Sequence, residues 1–282
     1  MNTPNLTFVR EVARIDDPPF VAGQAAGHRA RRLIDAPDAA FADPFVLMAE
    51  DWTSQGAFAF HPHRGIETVT YVIEGSIEHR DSAGYEGVIR AGGVQWMTAG
   101  RGIQHEENPP AGTMAHTLQL WVNLPAAEKM TVPRYQDLVA SALPVWSEDG
   151  VEVRVFSGAY DDKVSTTLNH HPVTMLEVRV EAGSVFRHSF AATDNAFVYV
   201  LKGAVEIGPA GDLLEVSQLG WLTRSDEPGS SELTIRARGT AGRLLLFAGQ
   251  PLREPIAFGG PFVMNTQAEI QQAFADYRAG RF

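Results

Sequence analysis

The sequence contains no cysteine among its 282 residues. Disulfide bonds, thiolate metal ligands and a thiol nucleophile are therefore excluded. A transition metal would have to be held by histidine and carboxylate side chains, and the chain has nine histidines to offer.

Long apolar runs and basic residues are also scarce. No stretch approaches the roughly 20 apolar residues of a membrane span, and the start lacks the charged-then-apolar pattern of a secretory signal. We therefore expect a cytoplasmic protein without a membrane partner. With 23 basic against 34 acidic residues, the formal net charge is -11. Because nucleic-acid affinity depends on neutralising phosphates with Lys and Arg, we expect no direct nucleic-acid partner.

Short apolar stretches separated by Gly, Pro and Asp turns run through most of the chain. This pattern is typical of an all-β sandwich or barrel. Three blocks recur in the same order and at nearly constant separation, residues 71–78, 94–98 and 118–125 resembling residues 199–206, 219–223 and 244–251. Such an internal repeat predicts two similar β-barrels in tandem.

The region between the two copies breaks into proline-bearing loops. We therefore expect residues 1–130 to form the first barrel and residues 131–282 to form the second, together with a terminal helix. The helix is predicted because Thr266 and Glu269 have the spacing of a capping box, and an apolar stripe at helical spacing follows them.

Two short runs contain the candidate metal ligands. Side chains alternate faces along a strand, so His61 and His63 share one face, and His105 and Glu107 share another. On adjacent strands they would offer three imidazoles and one carboxylate to a single ion. That set suits a divalent first-row metal and does not suit Ca²⁺ or Mg²⁺. Counting by two also places Glu67 on the face of His63, so periodicity leaves both carboxylates open.

The second copy of the repeat lacks these histidines. Alignment of the two copies replaces three ligands, with Ser189 for His61, Ala191 for His63 and Ser230 for His105. We therefore predict a metal in the first barrel only. His188 is one residue out of register in this alignment, so we expect it to face the opposite side of its strand.

The motif His-x-His-x3-Glu, followed by Gly-x-Gly-x2-His, resembles the two cupin motifs. The longer strings HPHRGIETVTYVIEGSIEHRDS, QWMTAGRGIQHEE, LQLWVNLP and GPFVMNTQAEI are similar to the pirin family along almost the whole chain. The resemblance implies an all-β protein with two tandem cupin (jelly-roll-like) β-barrels and a short C-terminal helix. It also implies an iron(II)-type centre in the N-terminal barrel only.

The same resemblance implies a ligand set. In the pirin family the ligands would be His61, His63, His105 and Glu107, whereas the general cupin pattern would use Glu67. The implied cofactor is then one Fe(II), with other first-row metals as alternatives, because affinity order does not fix the metal used in a cell.

Family members are described as similar to quercetin 2,3-dioxygenase. The resemblance therefore implies a metal-dependent dioxygenase that oxidises an aromatic, flavonol-like substrate with O₂, with Glu107 as ligand or general base. Three histidines and one carboxylate leave about two positions of a six-coordinate ion for substrate and O₂. The alternative is a redox-sensing regulatory protein that binds a transcription factor or metabolic enzyme without turnover. An acidic chain would then favour a basic protein partner.

Overall fold

The computed structural model describes residues 7–23 and 25–282. The strands of the first part of the chain are β1 (Phe8–Val9), β2 (Val12–Asp16), β3 (Val21–Ala22), β4 (Arg29–Ile34), β5 (Phe45–Ser54), β6 (His61–His63), β7 (Ile66–Glu74), β8 (Ser76–Asp81), β9 (Glu86–Arg90), β10 (Val94–Thr98), β11 (Ile103–Asn108), β12 (Met114–Asn123) and β13 (Arg134–Leu138). A four-residue helix, α1 (Ala39–Ala42), precedes β5. Single 3-10 turns lie at Ala36–Asp38, Ala126–Glu128 and Ala140–Ala142.

The remaining part of the chain is also built mainly of strands. They are β14 (Val145–Glu148), β15 (Val151–Ser157), β16 (Ala159–Tyr160), β17 (Lys163–Val164), β18 (Val173–Val180), β19 (Val185–Ala191), β20 (Asn195–Lys202), β21 (Ala204–Ile207), β22 (Asp212–Glu215), β23 (Leu219–Leu222), β24 (Ser230–Ala237), β25 (Gly242–Gly249), β26 (Ala257–Gly259) and β27 (Phe262–Met264). The terminal helix is α2 (Gln267–Arg278), and Thr266 and Glu269 form the capping box that the sequence predicts. The expected all-β class with a short C-terminal helix is confirmed.

One compact unit consists of Pro18–Ala142 and Leu252–Phe282, and we call it the first barrel. Its larger sheet has the strand order β13-β10-β7-β12-β5-β4-β3, and its smaller sheet has the order β6-β11-β8-β9. Neighbouring strands are often distant in sequence, as in a jelly roll, so residues from well-separated segments share one interior.

The other compact unit consists of residues 7–17 and Leu143–Pro251, and we call it the second barrel. Its larger sheet has the order β14-β15-β18-β25-β20-β23-β2, and in its smaller sheet β24 pairs with β1, β19 and β21. A single large cluster of buried Val, Leu, Ile, Phe and Ala side chains fills this barrel. Burial of that apolar surface provides the main driving force for its folding.

The repeat is visible in the hairpin turns that follow β7 and β20. Gly75 and Gly203 occupy equivalent turns with φ angles of 79° and 73°. A Cβ atom at Gly75 would lie 2.6 Å from the Met114 carbonyl oxygen, and one at Gly203 would lie 2.7 Å from the Ala241 carbonyl oxygen. Both the left-handed backbone and the close approach require glycine, which explains why the same residue recurs in both copies.

The chain start belongs to the second barrel, which differs from the expected division into residues 1–130 and 131–282. Strand β2 pairs with β23, and β1 pairs with β24. Arg10, between them, is 0% exposed. Its guanidinium group donates to the side chain of Ser231 and to the backbone carbonyl groups of Ala191, Ala192, Asp194 and Thr223. Five hydrogen bonds from this buried guanidinium group to the second barrel anchor the segment there.

The terminal helix belongs to the first barrel rather than to the second. Ile270 and Ala273 of α2 pack with Ala257, Phe262 and Met264 of the β26–β27 hairpin. This hairpin in turn joins residues from far earlier in the chain, because Phe262 pairs with Arg64 and Val263 packs with Ile66, and the order of the chain could not indicate that contact. Among the described residues, neither helix is long and apolar enough to cross a bilayer.

Candidate metal centre

The three histidines predicted as ligands lie together in the first barrel. Strands β6 and β11 run antiparallel, with His105 opposite His61 and Ile103 opposite His63. One potential ligand atom from each histidine lies within 4.8 Å of the other two. Nitrogens bound to one ion at about 2.1 Å lie no more than about 4.2 Å apart, so small side-chain shifts would let all three bind the same ion.

Burial and hydrogen bonding prepare these imidazoles for a metal. His61 is half-buried, whereas His63 and His105 are 2% and 0% exposed. Nδ1 of His61 lies 2.8 Å from the carbonyl oxygen of Ala59, so it carries the proton and leaves Nε2 with a free lone pair. Nε2 of His105 is buried and has no hydrogen-bond partner in the described chain. An orphaned buried nitrogen of this kind fits a metal ligand.

Burial also keeps the three rings neutral at pH 7. It lowers the pKa of His61 below its usual value, lowers that of His63 to about 3, and lowers that of His105 well below its usual value. Desolvation is the largest cause in each case, because a charged imidazolium loses its hydration when buried. Since only the neutral ring can bind a metal, protons compete weakly with an ion at this site.

Glu107 lies on the same face of β11 as His105 but is not one of the three clustered groups. Its Oε1 accepts a hydrogen bond of 2.9 Å from Thr70 Oγ1, and its Oε2 accepts one of 2.7 Å from Gln119 Nε2. Burial raises its pKa to about 7, although the two hydrogen bonds oppose that rise. Strand β11 therefore carries, on the same face as His105, a carboxyl group whose pKa is about 7.

Glu67 lies on the other face of β7, and the expectation that it shares the face of His63 is wrong. Thr70 donates its hydroxyl to Glu107 and so faces the ligand strand. Glu67 is three residues before Thr70 on β7, so its side chain points to the opposite face. The Glu67 carboxylate instead accepts hydrogen bonds from Trp96 Nε1 at 3.0 Å and from Thr98 Oγ1 at 2.7 Å.

The count by two fails because the chain turns between β6 and β7. Gly65 lies there with a φ angle of 81°. A Cβ atom at this position would lie 2.0 Å from the Val263 carbonyl oxygen, so only glycine fits. A period of two holds within a strand and not across such a turn.

In the second barrel, apolar side chains replace most of the cluster. Strand β24 pairs with β19 and β21 as β11 pairs with β6 and β8. Leu233 occupies the place of His105, so the predicted replacement by Ser230 is wrong, and Ile235 occupies the place of Glu107. They lie opposite His188 and Ile207. Among residues 7–23 and 25–282, the only group of three or more histidine, aspartate or glutamate side chains close enough to hold one metal ion lies in the first barrel.

His188 does not face away from the interior, which corrects the sequence expectation. It shares its strand face with Phe186, a core residue, and with Phe190, while Ser189 and Ala191 are exposed. The connection from β19 to β20 is one residue longer than the connection from β6 to β7, so the alignment shifts by one residue. Burial lowers the pKa of His188 to about 4, as it does for an inward-facing ring.

The sequence reasoning missed His79. This residue is 2% exposed and its Nε2 lies 3.1 Å from Nδ1 of His105. His79 and Asp81 are two residues apart on β8, so they share one strand face, as His61 and His63 do on β6. This spacing was the one indication in the sequence. Without the pairing of β8 with β11, nothing connected that strand to the ligands.

Comparison with known proteins agrees with the sequence resemblance. Residues 29–122 match the family described as Pirin, and residues 175–282 match the Pirin C-terminal cupin domain. A pirin-like protein of Solanum lycopersicum is 38% identical over 279 residues, which cover 99% of this chain and 93% of the relative.

Solved structures are similar over most of the chain as well. A quercetin 2,3-dioxygenase from Acinetobacter baumannii has a TM-score of 0.84 at 32% identity, over 97% of this chain and 98% of that one. The bacterial pirin YhhW from Escherichia coli, in complex with nickel(II), has a TM-score of 0.65 at 25% identity, over 82% and 96% of the two chains. With both cupin domains matched and relatives aligned along nearly its whole length, the chain belongs to the pirin family.

Proposed function

We propose that the first barrel binds one divalent transition metal through His61, His63, His105 and Glu107, and oxidises a flavonol-like aromatic compound with O₂. The observation that carries this proposal is the convergence of three neutral imidazoles within 4.8 Å. The similarity to a quercetin 2,3-dioxygenase at 32% identity supports the reaction class. Fe(II) is our proposed ion, and when bound it would supply Lewis acidity and electrons for O₂.

Glu107 is the proposed base for the substrate hydroxyl. Its pKa of about 7 allows it to accept a proton at Oε1 or Oε2 near neutral pH and to return it later. Thr70 and Gln119 fix the position of both oxygens. With the metal bound, the same carboxylate would be the fourth ligand beside the three histidines.

The half-buried side of the cluster offers an approach for a planar substrate. His61 is the most accessible of the three histidines, and the ring of Phe58 lies 6.5 Å from it, centroid to centroid. His28 contacts Phe58 edge to face at 5.5 Å. Aromatic rings beside His61 would favour a flat aromatic ligand by stacking and by burial of apolar surface.

The proposal is tested by purifying the protein without oxygen, measuring its bound metals and following O₂ uptake with a panel of flavonols. We expect one first-row metal per chain and O₂ consumption in a fixed ratio to flavonol. The double variant His61→Ala/His63→Ala serves as the control and should consume none. Metal-loaded protein that leaves every flavonol unchanged would contradict the dioxygenase proposal.

A pair of matched variants tests whether Glu107 or Glu67 is the carboxylate ligand of the metal. Glu107→Gln should weaken metal affinity by roughly 10- to 100-fold or more, since even indirect partners of metal ligands have effects of that size. Glu67→Gln should retain most of the affinity, because its carboxylate contacts Trp96 and Thr98. Titration of both variants with the same metal measures the difference. Loss of binding in Glu67→Gln alone would favour the general cupin ligand pattern.

Glu107 should also make the stability of the metal-free protein depend on pH. Its pKa is about 7 in the folded protein against a usual 4.5, so the folded state holds the proton more tightly. Stability from this group therefore falls as pH rises from 4.5 to 7, by about 3 kcal/mol in all. Because Gln does not ionise, we expect the free energy of unfolding of Glu107→Gln to rise relative to that of the wild type as pH increases over that range. Denaturant unfolding of both proteins at several pH values measures it, and a difference independent of pH would contradict the burial effect.

A regulatory role without turnover is the second candidate. A groove of about 730 Å³ lies on the outer face of the smaller sheet, lined by side chains such as Glu78, Arg80, Glu106 and Asn108. These side chains alternate with those that face the histidine cluster. A charged groove outside the metal site favours binding of a protein segment. This role would be favoured if the bound metal can be oxidised and reduced reversibly while the protein consumes no O₂ with any flavonol of the panel.

A further inference from the structure

In the described part of the chain, the hydrogen-bond partner of Nδ1 of His105 is His79. Strand β8 pairs with β11 so that His79 lies opposite Glu107 and Asp81 lies opposite His105. Nε2 of His79 is 3.1 Å from Nδ1 of His105, and both rings are almost fully buried. At this distance the two nitrogens share one hydrogen bond.

The direction of that hydrogen bond decides whether His105 can bind a metal. A neutral imidazole has one protonated nitrogen and one with a lone pair. If His105 donates from Nδ1, its Nε2 is free for an ion. If His79 donates instead, Nδ1 of His105 is the acceptor and its Nε2 carries the proton. Nε2 is then unable to bind a metal.

The surroundings of His79 favour the first arrangement. Asp81 lies two residues along the same face of β8, and its negative charge acts on the His79 ring. Oδ1 of Asp81 is held by the amide groups of Ala83 and Tyr85, which fixes the carboxylate in place. Nδ1 of His79 and Nε2 of His105 both lack a hydrogen-bond partner in the described chain, so one of them carries an unpaired proton. The negative charge of Asp81 stabilises that proton on His79, which leaves Nε2 of His79 as the acceptor.

The second barrel provides an independent observation. Ile207 occupies the place of His79 there, and it lies opposite Ile235, which stands where Glu107 does. Leu233 stands where His105 does. The histidine at the His79 position is thus absent from the barrel whose ligands are replaced by apolar residues. This is expected if its role depends on His105, whereas a packing role would serve both barrels.

We propose that His79 is a positioning residue, which accepts a hydrogen bond from His105 Nδ1–H and thereby presents His105 Nε2 to the metal. This inference rests on the proposed metal site of the first barrel. Partners of this kind orient a ligating ring and raise its basicity, and their loss weakens metal affinity by about 10- to 100-fold.

The test uses Co²⁺ as a probe, titrated without oxygen into four proteins: the wild type, His79→Gln, His79→Asn and His79→Phe. The terminal oxygen of Gln can reach the place of Nε2 and accept from His105, whereas the shorter Asn cannot and Phe has no acceptor. We expect near wild-type affinity for His79→Gln and a Kd raised by about 10- to 100-fold for the other two. The visible Co²⁺ spectrum should shift only where affinity falls.

His188→Phe is the matched control, because it also introduces phenylalanine, in this case in place of a half-buried histidine of the second barrel. It should leave the Kd and the Co²⁺ spectrum unchanged. Equal affinity and identical spectra for His79→Gln and His79→Asn would overturn the inference, even if His79→Phe fails to fold. A wild-type protein that does not bind Co²⁺ would instead contradict the metal site itself.

Discussion

Replacement of both His61 and His63 by alanine is expected to abolish metal binding. The change removes two of three clustered imidazoles and leaves His105 with Glu107, whose oxygens are engaged by Thr70 and Gln119. The affinity should fall by well over 100-fold, since loss of an indirect partner alone costs about 10- to 100-fold. Elemental analysis should give about one metal per wild-type chain and none for the double variant.

The control for this experiment lies in the second barrel. His188→Ala removes a histidine that faces the interior of an apolar core, so the metal content should stay at one per chain. Two metals bound at similar affinity to the wild type, or one retained by the double variant, would refute the assignment. Circular dichroism of the metal-free proteins confirms that each variant is folded.

Lys129→Met is expected to produce the largest loss of stability. Lys129 is 1% exposed, and its ammonium group donates to the carbonyl oxygens of Gly65 and Val263 at 2.9 Å and to Asn123 Oδ1 at 2.7 Å. Methionine fills a similar volume but cannot donate, so three buried acceptors lose their partner. The free energy of unfolding should fall by roughly 3–5 kcal/mol, as when one partner of a buried charged network is removed.

The measurement is denaturant unfolding, read as a lower midpoint at unchanged slope. Lys202→Met is the matched control, because Lys202 is exposed and should change stability by less than about 0.5 kcal/mol. Lys129 binds Gly65, two residues after His63, so the same variant should also loosen the ligand strand. Equal midpoints for Lys129→Met and wild type would mean that the three contacts contribute little.

Patterns within single strands predicted much of this molecule. Alternation placed His61 and His63 on one strand face, the family resemblance joined them to His105, and the glycine turns of the repeat indicated two barrels. Both signals are local, since the period of two is set by strand geometry and the turn by backbone sterics. The capping box of α2 was predicted for the same reason.

Relations across turns and between strands could not be predicted in this way. The turn at Gly65 reversed the face assigned to Glu67, and a longer connection shifted the register at His188. His79 joins the site through pairing of β8 with β11, and this contact has no counterpart in the spacing of residues. Each case depends on which strands lie side by side, and a single sequence does not contain that information.

The composition of the first barrel has a consequence for the order in which the chain can fold during synthesis. Its proposed ligands are made before most of the second barrel, yet the β26–β27 hairpin and α2, which complete its packing, are made after it. Residues of the second barrel emerge from the ribosome between these two parts. The first barrel therefore reaches its final packing only after α2 has left the ribosome, by which time the second barrel already has all its strands. Newly made chains should accordingly acquire their metal late, after translation of α2.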